Sequence, residues 1–246
     1  IRTGNTGNCV MPHNHQHILA TYHKAGEEEI KMAIDGLLEA WKEWSYTPLE
    51  TRINIFKKMA TLLQGPYRDL INASTMLGQS KNVFQAEIDS ACELIDFFNF
   101  NCEYLYNIHK QQPKYSPDGM QNSTEYRALE GFVFAATPFN FTSIAANLPT
   151  APALLGNVSL WKPASSSVFS GYYLMKLFKE AGLPDGAPAG ASYKSYLLGE
   201  SDRVPKTAEW AAQIIGIPAA TIRRLAIEFG ETKPSALQAG YGPGRT

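Results

Sequence analysis

The sequence predicts an α/β fold: amino-terminal helices, then part of a parallel sheet built as a βαβ unit, then a small helical and mixed αβ segment, with neither domain complete. Three observations carry that reading. Apolar residues recur at helical spacing through most of residues 26–106. Two short apolar runs, Gly131–Ala136 and Val158–Lys162, flank a helical stretch at the spacing of a right-handed crossover. A cluster of Gly, Pro and Ala at Asp185–Ala191 then reads as a junction.

Taken in order, residues 1–23 read as extended, with His13, His15 and His17 alternating onto one face. No Asp, Glu or Cys nearby completes a metal site, so an exposed strand or loop is expected there. Ile30, Ile34, Leu37, Leu38, Trp41 and Trp44 give a first helix over 26–45, opened by Glu27–Glu29. A second is expected from Pro48 to Leu63 and a third from Tyr67 to Leu77, separated by Gly65-Pro66. A single long helix, Val83–Tyr106, carries Ile88, Ala91, Leu94, Ile95, Phe98, Cys102 and Leu105 as a core stripe. Gln111–Asn122 is a polar turn region leading to an expected strand at 124–129.

Gly131–Ala136 reads as a buried strand. Phe141–Leu155 is helical, with Pro149 and Pro152 expected to kink or shorten it. Val158–Lys162 is the second strand, Ser166–Ala181 the next helix, and Gly182-Leu183-Pro184 its stop. Beyond the junction, helices are expected at Thr207–Ile215 and Pro218–Phe229, and a strand near Ser235–Ala239.

Composition narrows the function. The 246 residues hold 22 Lys+Arg against 23 Asp+Glu, a net charge of −1, so there is no basic footprint for nucleic acid. Gly131–Trp161 contains no charged residue, but Pro138, Pro149 and Pro152 and three Asn suit it to a buried centre rather than a membrane span. Three cysteines without paired spacing point to a reduced, intracellular setting. Cys92 and Cys102 read as small core residues. The chain starts at Ile1 without an initiator Met, as expected of a trimmed start or an excerpt.

In parallel sheets ligands gather at the carboxyl ends of the strands. Thr137-Pro138-Phe139-Asn140 and Lys162-Pro163-Ala164-Ser165 stand there. An Asn at a helix start either caps backbone N–H groups or donates outward to a developing oxyanion. A lysine after an apolar strand either ion-pairs locally or reaches a nucleotide's ribose or phosphate. The glycine-rich dinucleotide fingerprint is absent.

The phrases Ile1-Arg-Thr-Gly-Asn-Thr, Gln85-Ala-Glu-Ile-Asp, Glu93-Leu-Ile-Asp-Phe-Phe, Leu129-Glu-Gly-Phe-Val, Pro138-Phe-Asn-Phe-Thr, Gly156-Asn-Val and Leu160-Trp-Lys-Pro are ordered along residues 1–186. That stretch resembles the amino-terminal part of an aldehyde dehydrogenase, of the delta-1-pyrroline-5-carboxylate dehydrogenase group. The resemblance implies a Rossmann-like cofactor fold without the glycine fingerprint, and NAD-dependent oxidation of glutamate γ-semialdehyde to glutamate through a cysteine adduct. It further implies a small aldehyde as substrate partner and a cytoplasmic or mitochondrial-matrix location. By the same resemblance Asn140 is the oxyanion stabiliser, Thr137 a cofactor-contacting hydroxyl, Lys162 the adenosine-ribose contact and Ser165 a ribose-side position. The family's general-base Glu and nucleophilic Cys are expected downstream of the matched stretch, and Cys9, Cys92 and Cys102 do not stand in that motif. The chain as given is therefore expected to be inactive, and to be unstable alone or oligomeric.

Residues 1–186 carry 15 basic and 18 acidic groups, and residues 187–246 carry seven and five. In the latter, Tyr196-Leu-Leu-Gly-Glu, Pro205-Lys-Thr-Ala-Glu-Trp-Ala, Gly216-Ile-Pro-Ala-Ala-Thr-Ile and Lys233-Pro-Ser-Ala resemble an internal piece of a molybdopterin oxidoreductase of the dimethyl sulfoxide reductase class. That would make the chain a composite, with Gly240, Gly242 and Arg245 facing a molybdopterin guanine dinucleotide. Residues 207–229 also fit a helix-turn-helix, with Gly216 at the turn and Arg223 and Arg224 on the second helix, a DNA-binding alternative with a small phosphate footprint.

Overall fold

The computed structural model describes residues 2–184 and 207–231. They belong to two compact units that divide between Gly186 and Ala187.

The first unit opens with an antiparallel hairpin, β1 (Thr6–Met11) and β2 (Asn14–His23), whose register slips after Cys9 pairs with Ala20. His15 and His17 are exposed on β2, and His13, in the turn, meets the Ser80 hydroxyl at 2.7 Å. Helix α1 (Glu27–Trp44) starts where Glu29 Oε2 accepts the Gly26 N–H at 2.7 Å. Helices α2 (Leu49–Gln64) and α3 (Arg68–Gln79) follow.

The expected long helix exists but is not uniform. A single α-turn, α4 (Val83–Ala86), passes into a π-helical turn, Glu87–Cys92, before α5 (Glu93–Lys110) resumes regular winding. The extra residue in the π-turn shifts the apolar stripe. Leu94, Phe98 and Leu105 are buried as expected, whereas Ile88 is 61 % exposed.

The expected strand at 124–129 is absent. Side chains satisfy that segment instead: Gln112 Oε1 accepts the Thr124 N–H at 2.8 Å, and Asn157 Oδ1 accepts the Leu129 N–H at 2.7 Å.

The βαβ unit is present: β3 (Phe132–Ala136), α6 (Thr142–Leu154) and β4 (Val158–Lys162), with β3 and β4 parallel and Ala136 opposite Lys162. A 3₁₀ turn, Ser165–Ser167, leads to α7 (Val168–Ala181), which Gly182 closes at φ 104°. Two sequence expectations need correction. Pro149 and Pro152 lie inside α6 without shortening it, and most of that helix is buried. β3 is less buried than expected, because only Ala135 is fully covered while Phe134 is 58 % exposed. Among the described residues β4 is the only strand paired with β3, which leaves it few neighbours.

The core lies between α2, α5, α6 and α7. Phe98 stands edge-on to Phe56 at 5.9 Å and to Phe178 at 6.3 Å. Trp44 Nε1 donates to the Ala153 carbonyl at 2.9 Å, tying α1 to the carboxyl end of α6.

In the second unit, α8 (Ala208–Ile215) and α9 (Ala219–Glu231) flank Gly216, whose φ is 72°. Arg223 of α9 is ion-paired with Glu209 of α8.

Candidate functional site

The register of β3 against β4 brings the two polar clusters to one edge. The Thr137 N–H donates to the Lys162 carbonyl at 3.2 Å, so the ladder extends one step past β3. Thr137 is buried and its Oγ1 accepts the Trp161 indole N–H at 3.0 Å, which leaves the hydroxyl proton to donate elsewhere. Lys162 is exposed and makes no ion pair among the described residues. Ser165 is exposed at the start of the 3₁₀ turn. Ser167 Oγ donates to the Phe139 carbonyl at 3.0 Å and so fastens the two strand-end loops together.

Asn140 does not cap α6. The cap position is Phe141, in an extended conformation and without a side-chain cap bond. Asn140 stands one residue earlier and is exposed, and its carboxamide makes no hydrogen bond among the described residues. Its side chain therefore makes no capping bond to α6.

The amino end of α6 is fastened from several directions. Thr142 Oγ1 lies 2.8 Å from Thr75 Oγ1 and accepts from Gln79 Nε2 at 2.8 Å. Ser143 donates to the Glu93 carboxylate. Lys81 donates to the Asn140 carbonyl and pairs with Asp89 of the π-turn. Sequence reasoning singled out neither Lys81 nor Ser167. Both are ordinary surface-type residues whose partners are 59 and 28 positions away, so no local pattern marks them.

A second polar cluster joins α3 to the π-turn. Arg68 and Asn72 both donate to Glu87, and Ser90 Oγ donates to Asn72 Oδ1 at 2.7 Å. The Arg68 guanidinium holds the Glu87 carboxyl below its usual range. Cys92, beside this cluster, is only partly buried, which departs from the core role expected of it. Burial raises the thiols of Cys9 and Cys92, and pushes Cys102 up to about 11. None of the three carries the lowered pKa of a nucleophilic thiol.

A cavity of about 160 Å³ opens at the opposite, amino-terminal ends of the strands, lined by Arg52, His109, Tyr126, Leu155 and Asn157 among others. Arg52 is buried there with Nε and Nη1 unpaired, packed over Gly156 where any Cβ would stand 2.0 Å from Nη1. Among the described residues no group of three or more His, Cys, Asp or Glu is placed to hold a metal ion.

Residues 2–189 match the aldehyde dehydrogenase family. The chain belongs to that family. The aldehyde dehydrogenase segment is 47 % identical over 195 residues to delta-1-pyrroline-5-carboxylate dehydrogenase of Agaricus bisporus, covering 78 % of this chain and 36 % of that protein. It is 50 % identical over 175 residues to the mitochondrial enzyme of Homo sapiens, covering 71 % and 31 %. In three dimensions it resembles the Mycobacterium tuberculosis pyrroline-5-carboxylate dehydrogenase solved with NAD, with a TM-score of 0.72 at 47 % identity, over 74 % of this chain and 34 % of that one. The chain thus spans about a third of the length of these relatives.

The fold is accordingly an incomplete Rossmann-like α/β domain of this family. Of the site residues expected from sequence, Thr137 and Lys162 meet at the carboxyl ends of β3 and β4, and Asn140 and Ser165 each follow three residues farther along the chain. Gly240, Gly242 and Arg245, named for a molybdopterin dinucleotide, lie outside the described residues, as does the strand expected near Ser235–Ala239. No helix among the described residues is long and apolar enough to cross a membrane.

Proposed function

We propose that the first unit supplies the oxyanion donor and part of the nucleotide platform of an NAD-dependent delta-1-pyrroline-5-carboxylate dehydrogenase, acting on glutamate γ-semialdehyde. The observation that carries this is the juxtaposition at the ends of two hydrogen-bonded parallel strands: a carboxamide at Asn140 and an ammonium at Lys162, neither with a partner among the described residues. The near-50 % identity to named pyrroline-5-carboxylate dehydrogenases supports the substrate.

The residues present suit a dinucleotide. Lys162 and Ser165 offer exposed donors for ribose hydroxyls, and Thr137 keeps one hydroxyl proton unused. NAD, when bound, accepts the hydride in aldehyde oxidation. The protein's own part is to hold it at the strand ends and to present the Asn140 N–H groups to the oxygen of an aldehyde under attack, where negative charge develops. Cys9, Cys92 and Cys102 do not stand in the family's nucleophile motif, so none of them is assigned the attacking thiolate. We assign no turnover to this chain by itself for that reason. A mitochondrial-matrix or cytoplasmic setting accords with relatives that include mitochondrial enzymes. The dehydrogenase role is assigned to the first unit alone, since the family match stops at residue 189.

Calorimetric titration of the full chain with NAD tests the assignment. Saturable binding is expected, weakened roughly 10- to 100-fold in Lys162→Ala, the worth of one charge-assisted hydrogen bond. Absence of saturable binding, or binding indifferent to Lys162→Ala, overturns it.

A further inference from the structure

Taking Asn140 as the oxyanion donor, the reading on which this rests, the geometry points to Lys81 as the residue that positions it. The backbone carbonyl of Asn140 belongs to no helix. Phe141 is the cap of α6, and the first intrahelical bond runs from the Ala145 N–H to the Phe141 carbonyl. That leaves the Asn140 carbonyl without a ladder partner, and the Lys81 ammonium is what it accepts from.

The ammonium has three donors and three neighbours. It pairs with Asp89 Oδ2 at 2.6 Å, donates to the Asn140 carbonyl, and stands 4.3 Å from the centroid of the Phe141 ring. The side chains of Lys81 and Asp89 are 15 % and 20 % exposed, so water screens the pair far less than an exposed one. Holding the carbonyl of the Asn140–Phe141 peptide while contacting the Phe141 ring restricts rotation of that peptide and makes no demand on the Asn140 carboxamide, which stays available to a ligand.

The base of this clamp is itself fixed. Ser80, the residue before Lys81, ends α3 in the left-handed region at φ 54°, the only non-glycine residue with positive φ among those described. Asn82, the residue after, caps α4 by accepting the Gln85 N–H at 3.0 Å. Lys81 therefore leaves the chain between two helix ends, with little backbone freedom. Asp89 sits in the π-turn, where the altered winding re-aims side chains relative to a regular helix. Clamp, counter-charge and target are separated by 8 and 59 positions, and the three elements meet only in the folded unit.

The test uses the whole 246-residue chain labelled with ¹⁵N, and backbone relaxation at Asn140 and Phe141. In the unmodified protein both amides are expected to be rigid, with order parameters near ~0.85. Lys81→Met keeps the alkyl stem but removes the donors, and should drop both amides below about 0.6 while the core amides of Phe98 and Leu177 stay rigid. Lys81→Arg, which restores a cationic donor, should recover order at both positions. Asp89→Asn leaves the lysine in place and carries the same expectation as Lys81→Met should that variant not fold. Rigid amides at 140 and 141 in a folded Lys81→Met or Asp89→Asn chain overturn the positioning role, as does failure of Lys81→Arg to restore order. NAD titration of the unmodified chain reports separately on the dehydrogenase reading, so either can fail without the other.

Discussion

Gly156 shows how much one residue decides. Its φ of 88° and the 2.0 Å that would separate any Cβ there from Arg52 Nη1 add two penalties, backbone and steric. Gly156→Ala should therefore cost about 2–5 kcal/mol, combining roughly 1–2 for the left-handed backbone with about 1–3 for overpacking a buried guanidinium. Gly182→Ala shares the positive φ, 104°, but a Cβ there meets Ile55 only at 3.9 Å, so about 1–2 kcal/mol is expected. Urea midpoints of the two variants check the difference, and equal losses would refute the steric part. Tyr67 gives a pH marker. Its hydroxyl donates to Glu180 Oε2 at 2.6 Å, and that bond, with burial and the carboxylate charge, pushes the phenol up to about 12. The folded pKa is raised, so the stabilisation is whole below the ordinary tyrosine pKa of about 10 and disappears as pH climbs through about 12. Absorbance at alkaline pH should show one late-titrating phenol, moved earlier by Glu180→Gln. At this scale the place of Asn140 and Lys162 after apolar strands is legible in the sequence, whereas the contacts of Lys81 with Asp89 and Asn140 are not.

Periodicity revealed the regular elements and misjudged the irregular ones. α1, α2, α3 and α7 carry strong helical stripes and lie within two residues of their expected bounds, and β4 matches its expected span. The π-turn was hidden because its residues read equally well as ordinary helix. Its cause is tertiary, since Glu87 serves Arg68 and Asn72 while Asp89 serves Lys81. The segment before β3 resembled a strand by composition, yet strand status needs a neighbouring ladder, and Asn157 and Gln112 took its hydrogen bonds first. Asn157→Leu should accordingly strand the Leu129 N–H and cost about 1–3 kcal/mol. Hydrogen exchange at Leu129 reads this directly, and unchanged protection there would show the bond to be dispensable. The prolines of α6 were expected to limit the helix. Its burial between α5 and the strands supplies enough packing to carry it through both.

For the molecule as a whole, the sheet is the exposed part. Among the described residues β3 and β4 form a two-stranded parallel pair, with Phe132 36 % and Phe134 58 % exposed, although parallel sheets ordinarily have both faces covered. Unpaired strand edges beside apolar side chains recruit further strands. The purified chain should therefore show a sedimentation-derived mass that rises with concentration, and Phe134→Lys should suppress that rise; a monomer at all concentrations would refute it. Class and family were legible because they rest on local patterns, the helical spacing over 26–106, the two apolar strands and short phrases ordered along residues 1–186. The fastening of the site's strand edge was not, because α3, the π-turn and the 3₁₀ turn reach it only through the fold. One last consequence concerns time. Pro149 and Pro152 sit within a continuous helix that needs both preceding peptide bonds trans, whereas unfolded chains hold about 10–30 % cis at each such bond. A sizeable share of molecules must then wait tens to hundreds of seconds for isomerisation before α6 can seat, a delay that a prolyl isomerase would shorten.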